Sequence, residues 1–285
     1  MEDPITGHHP CRSVVDEEEE LQAQEFAESY STPPVFEWSG KREGLIADGK
    51  VQVRLLVLIT STSASSLMTQ CLEPEQGIGR IIQPEILQDA PIALRAMVEG
   101  PTGKDSACEL YIMGGGASVP AVLVAMCRAA VTPERSGAWA NGLFAEINPE
   151  QVICISSLPA RQFIGQEDPT QEPLHFLLQT NGSRSEQKHG IPLLPTGNLV
   201  SGQPAAIMSY CQVHGIPATL LVSVDASPLP DSIAVKALAQ NMVALLEGTD
   251  AKELAAMLKQ PSLVLEACRK ARQAMRLSDR AALYI

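Results

Sequence analysis

Three consecutive glycines, Gly114-Gly115-Gly116, follow the apolar run Cys108 to Met113 and precede Val119 to Ala130. The latter stretch has the composition of a buried helix, with Pro120 in its first turn. At such a strand-to-helix junction the backbone N–H groups cradle phosphate, so nucleotide chemistry is sought here first. The specific templates are not met. A GxGxxG pattern counted from Gly114 places its third glycine at Val119, and no Lys-Ser or Lys-Thr pair completes a P-loop. Glycines also serve simply as a tight turn, which is their commoner use. For serine nucleophile chemistry, Gly116-Ala117-Ser118-Val119-Pro120 has proline where the GxSxG elbow needs glycine. The histidines, His8, His9, His175, His189 and His214, are dispersed without an HExxH or carboxylate–histidine pattern. Each is expected at the surface or at a helix end rather than as a ligand or base. No metal, cofactor or catalytic residue is therefore assigned.

The end of the chain offers a different chemistry. Leu283-Tyr284-Ile285 places a ring to bury, a hydroxyl to bond, apolar area and a carboxylate that can pair with a lysine within one extended tripeptide. These are the parts of a plug for a receiving pocket. From Leu277 to Ile285 the chain reaches roughly 30 Å when extended, enough to enter a neighbour's groove while the domain stays outside.

The elements that must carry these groups follow from periodicity. Val51 to Ile59 begins with alternation and becomes wholly apolar, as in a strand entering a buried sheet. Further strands are expected at Cys108 to Met113, Gln151 to Ser156 and Ala218 to Val224. Helices are expected at Pro204 to His214, ended by Gly215, at Ser232 to Leu246, at Ala251 to Lys259 after a Thr249-Asp250 cap, and at Ser262 to Arg276. Alternating strands and helices indicate an α/β sandwich with much of its sheet parallel. Residues 1–48, with Pro33-Pro34 and the acidic run Asp16 to Glu20, bury too little surface to offset their ordering entropy and are expected to be disordered. Phe36 and Trp38 are the exceptions, able to dock on the domain or on a partner, and docking on their own domain is the expectation preferred. The domain plan is a disordered acidic segment at 1–48, an α/β domain at 49–276 and an insertion tail at 277–285.

Composition bounds the partners. The chain has 285 residues, 45% of them hydrophobic, and a formal net charge of -12. That charge argues against nucleic acid or an anionic membrane as principal partner. The apolar run at Val51 to Ile59 is far shorter than the ~20 residues that span a bilayer, and the N-terminus lacks a signal pattern, so a cytosolic or nuclear location is expected. Seven cysteines are dispersed with no CxxC pair, and most read as small core residues.

Pro204-Ala205-Ala206, Ser209-Tyr210-Cys211-Gln212-Val213 and Ile216-Pro217-Ala218, within the block Leu199 to Ala218, resemble the proteasome assembly chaperone 1 family. The ending Leu283-Tyr284-Ile285 separately resembles the hydrophobic-tyrosine-any tail with which that family enters a pocket between neighbouring α subunits of the proteasome core particle. The resemblance implies a three-layer α/β/α sandwich akin to nucleoside phosphorylases but without their activity. It also implies a heterodimer with proteasome assembly chaperone 2 that binds α subunits, promotes α-ring assembly and opposes off-pathway or premature association. The alternatives are an enzyme of phosphorylase-like fold using the Gly114–Gly116 loop and a tail-inserting proteasome regulator, since one scaffold can host several functions.

Overall fold

The computed structural model describes residues 33–39, 45–82, 107–113, 122–128, 131–181, 190–227 and 232–269. In chain order the elements are β1 (Val35–Trp38), β2 (Ile46–Ala47), β3 (Lys50–Ile59), α1 (Thr62–Cys71), β4 (Gly77–Ile82), β5 (Ala107–Met113), β6 (Val122–Cys127), α2 (Pro133–Glu146), β7 (Ile147–Pro159), β8 (Leu174–Gln179), α3 (Gly202–His214), β9 (Ala218–Asp225), α4 (Ser232–Leu246), α5 (Lys252–Leu258) and α6 (261–269). The sheet runs in the order β1-β4-β5-β6-β3-β7-β9-β8, with β2 folded back on β3. Its centre, β6-β3-β7-β9, is parallel, while β1, β4 and β5 on one side and β8 on the other are antiparallel.

Strand β3 shows why its second half is wholly apolar. It lies between two parallel neighbours, and each face meets a helical layer. Leu55, Val57 and Ile59 enter one core, with Leu67, Met68, Met242, Leu245 and Leu254 from α1, α4 and α5. Leu56 and Leu58 enter the other, with Trp139, Leu143 and Phe144 of α2 and Ile207 and Cys211 of α3. The result is a three-layer α/β/α sandwich. Fully burying each of these side chains stabilises the fold by about 1.5–3 kcal/mol before ordering entropy is counted.

The helix α3 starts and stops as its sequence dictates: Gly215 ends it in the left-handed region at φ 69° and donates its N–H to Cys211 O. Tyr210 stacks between Phe144 of α2, at 4.2 Å, and His214, at 4.0 Å. Gln212 Oε1 accepts from Asn181 N at 3.0 Å. The Pro204 to Ala218 block therefore builds a helix–helix contact and the adjoining core.

Two expectations are corrected. Val122 to Cys127, read as part of a helix, is strand β6, fully buried and paired with β5 and β3. Apolar periodicity cannot separate a short buried helix from a central strand, and here neighbours on both edges decide. The second concerns residues 33–39 and 45–48, within the segment expected to be disordered. Strand β1 pairs with β4, Phe36 and Trp38 stack at 5.6 Å, and Trp38 Nε1 donates to Glu146 at 3.2 Å. Two glycines make room for this strand. A Cβ on Gly79 would lie 2.7 Å from Glu37 O, and one on Gly142 would lie 2.5 Å from Cδ of buried Pro34. The docking expected of Phe36 and Trp38 thus holds, whereas Asp16 to Glu20 lie outside the described residues.

Candidate interaction surface

Past the end of β7 the chain turns through the short 3-10 segment Ala160–Gln162 and enters the loop that leads to β8. Phe163 anchors this loop by stacking on Phe176 of β8 at 5.2 Å. The next bend is tight, for a Cβ on Gly165 would collide with the Phe163 ring. Asp168 organises the following turn. It accepts from Thr170 Oγ1 at 2.7 Å, Thr170 N at 2.9 Å and Gln171 Nε2 at 3.0 Å. The Thr170 side-chain bond, then its backbone bond, holds the Asp168 carboxyl below its usual range.

A second loop packs beside the first. Leu177 N donates to Pro192 O at 2.8 Å and Leu194 N to Leu177 O at 2.9 Å, so 191–194 covers part of the β8 edge. The two loops are then clamped by Asn198. Its Oδ1 accepts from Ile164 N at 2.8 Å, and its Nδ2 donates to Ile164 O at 2.7 Å and Pro195 O at 3.0 Å. The amide thereby reproduces a pair of strand-like bonds between segments that are otherwise irregular. On this fixed frame the apolar side chains of Ile164 and Leu199 stand 61% and 81% exposed, with Leu178 and Leu193 exposed at the β8 edge. Single exposed leucines are ordinary, but apolar side chains on rigid, hydrogen-bonded loops are what a protein interface needs. The sequence reading missed this surface. The available cue was Ile191-Pro192-Leu193-Leu194-Pro195-Thr196-Gly197-Asn198-Leu199, a turn-forming stretch unusually rich in leucine.

A second apolar surface is a groove of about 690 Å³ between α4 and α6, lined by Ile233, Val243, Leu258, Val264 and Leu265. Lys259, on its rim, pairs with Glu247. The expected insertion residues Leu283, Tyr284 and Ile285 lie outside the described residues, as do Gly114, Gly115 and Gly116. The strands flanking the glycines are informative nonetheless. Met113 and Val122 are partners across an antiparallel pair, and Val122 to Cys127 is a strand, where a phosphate cradle would call for a helix.

Parallel sheets of this kind bind ligands beyond the carboxyl ends of their strands. There, Asp225 ends β9 and accepts from Ser223 Oγ at 3.1 Å and from Ser157 of β7. Burial raises its carboxyl above the usual range, against both serine bonds. The adjoining cavity, about 290 Å³, is lined by Ser63, Thr170, Glu172 and Ser227 but by no histidine or cysteine among the described residues. Among the described residues there is also no group of three or more His, Cys, Asp or Glu able to hold a metal, and no helix long and apolar enough to cross a membrane.

His175 is a further correction: expected at the surface or a helix end, it is buried on β8. It hydrogen-bonds the Pro173 backbone, while Nε2 has no partner. Burial, outweighing that bond, lowers its pKa from 6.5 to about 4. His214 does lie at a helix end, as the last residue of α3. All six cysteines among the described residues are buried, as their apolar settings suggested.

Known proteins share this architecture. The solved structure of Pyrococcus furiosus PbaB, an archaeal proteasome activator, superposes with a TM-score of 0.52 at 12% identity, covering 87% of this chain and 99% of that one. Pyrococcus furiosus PbaA, an archaeal homolog of proteasome-assembly chaperone, superposes at 0.50 with 15% identity, covering 89% and 97%. At such identities the likeness concerns the fold. In sequence, proteasome assembly chaperone 1 of Xenopus laevis is 32% identical over 121 residues, 41% of this chain and 42% of that protein. Its Homo sapiens counterpart is 28% identical over 140 residues, 44% and 48% respectively. The matched region thus spans less than half the length of these relatives. The family model described as proteasome assembly chaperone 4 matches residues 94–260. That match takes in most of the sheet, α2 to α5 and the clamped loops, and since it extends over more than half of the sequence, the chain belongs to the proteasome assembly chaperone family.

Proposed function

We propose that this protein, as a heterodimer with proteasome assembly chaperone 2, binds α subunits of the proteasome core particle, promotes α-ring assembly and opposes off-pathway or premature association. The family match over residues 94–260 carries the reading. The Asn198-clamped surface supports a binding role, because its apolar side chains stand on loops already ordered and lose little freedom when a partner covers them. Leu283-Tyr284-Ile285 supplies the second contact, inserting between neighbouring α subunits while the domain and its companion hold the outer face. Linking a short tail to a folded interface raises its effective concentration at the pocket, so neither contact has to be tight alone. No catalytic role or cofactor is proposed, and the site of action is the cytoplasm and also the nucleus.

The test is the composition of complexes purified with the tagged full chain, read by mass spectrometry. Proteasome assembly chaperone 2 together with α subunits, without mature β subunits, is the expected result. Complete particles would instead favour a regulator of finished proteasomes, and absence of α subunits would overturn the proposal. Tyr284→Ala should weaken capture of α-ring intermediates roughly thirtyfold, the effect of losing about 2 kcal/mol from one buried aromatic anchor.

A further inference from the structure

Four buried cysteines, Cys108, Cys127, Cys154 and Cys211, share the core beneath α2 and α3. Two of them stand in a special relation. Cys108 of β5 and Cys127 of β6 are direct partners across an antiparallel pair, and Cys127 Sγ donates to Cys108 Sγ at 2.8 Å. Directly opposed residues in such a pair have Cα atoms about 4.5–5.5 Å apart, inside the roughly 4.4–6.8 Å that a disulfide spans. The backbone therefore already holds the geometry that a covalent bond requires. On the opposite face of the same strands, Glu109 and Arg128 form an ion pair at 3.0 Å, fixing this end of the pair from the other side.

We propose that Cys108 and Cys127 form a redox-labile modification site, which a small-molecule disulfide converts into a cross-strand disulfide tying β5 to β6. In the first step one thiolate attacks the oxidant, releasing one small thiol and leaving a mixed disulfide. The second protein thiolate then attacks the sulfur of its partner, forming the Sγ–Sγ bond and releasing a second small thiol. Two protein thiols are oxidised and one small disulfide is reduced, with both protons passing to the released thiols. Burial, with the neighbouring Cys108, raises the Cys127 thiol well above its ordinary range, so reaction waits on local opening of the strand pair and is slow. Once formed, the bond closes the chain from Cys108 to Cys127 around Gly114-Gly115-Gly116. The inference rests on the strand register and is independent of the proposed proteasome role.

The test incubates the folded full chain with oxidised glutathione, blocks remaining thiols by alkylation and digests with trypsin. Residues 105–128 contain both cysteines and no lysine or arginine before Arg128, so they leave as a single peptide. The expected result is that peptide unalkylated and lighter by two hydrogens, restored to the doubly alkylated form by dithiothreitol. A thermal midpoint raised by several degrees, with the rise absent in Cys108→Ala, should accompany it. A doubly alkylated peptide after prolonged oxidation, a stable glutathione adduct, a Cys127–Cys154 crosslink, or oxidation seen only in denaturant would each overturn the proposal.

Discussion

Protonation of His175 should weaken the fold over a narrow pH range, with a size set by its burial. The imidazole is 7% exposed, bonds the Pro173 backbone and leaves Nε2 without a partner. Its pKa falls from 6.5 to about 4, chiefly through desolvation. Because the folded pKa lies below the unfolded one, the unfolded chain binds more protons between the two values. Stability from this group is therefore complete above pH 6.5 and is lost as pH falls toward 4. A shift of this size corresponds to roughly 3 kcal/mol in total, of which about 1.2 kcal/mol should be lost between pH 7 and about 5.5. Urea unfolding followed by fluorescence is suitable, since Trp139 is buried in the core. His175→Gln cannot ionise but retains an amide donor for Pro173. The wild-type stability minus that of the variant should fall by that amount over the interval. Asp225 responds in the opposite sense: its raised carboxyl contributes stability that is lost as pH rises through its folded pKa. Being common to both proteins, it cancels in the difference. A difference that stays constant with pH would refute the reasoning, and so would one that grows on acidification.

Gly142→Ala should change sign with the length of the chain. In a protein lacking residues 1–40 it should stabilise by up to about 1 kcal/mol through helix propensity, whereas in the full chain the new Cβ meets Pro34 Cδ at 2.5 Å and the gain should vanish or reverse in thermal unfolding. Removing residues 1–32 should leave the thermal midpoint nearly unchanged, but removing 1–40 should lower it by several degrees, because only the longer deletion takes away β1, Phe36 and Trp38. Tyr210→Ala should cost about 2–4 kcal/mol in chemical denaturation by emptying the stack between Phe144 and His214, while Tyr210→Phe should cost well under 1 kcal/mol. Asn198→Ala should lower partner recovery in pull-downs with little effect on the midpoint, since it releases Ile164 and Pro195 at the surface without opening either core.

Much of this protein is determined by local sequence. Leu55 to Ile59 can only be buried on both faces, and Gly215 ends α3 because it takes the left-handed conformation without steric cost. Ser232 to Leu246 carries helical periodicity strong enough to set both ends of α4. The block from Pro204 to Ala218 carried the family likeness for the same reason: it builds a core helix and strand whose side chains are constrained by packing. What local pattern could not decide was settled by neighbours distant in the chain. Val122 to Cys127 is a strand because β5 and β3 satisfy its backbone on both sides. Val35–Trp38 is ordered because Gly79 and Gly142 leave space for it, and His175 is neutral because β8 carries it inside. The Asn198 clamp joins residues 34 positions apart, and Cys108 meets Cys127 only through strand register. Periodicity reports which face of an element is buried, but pairing, close approach and desolvation depend on what the folded chain brings against that face, and those are properties of the tertiary structure alone.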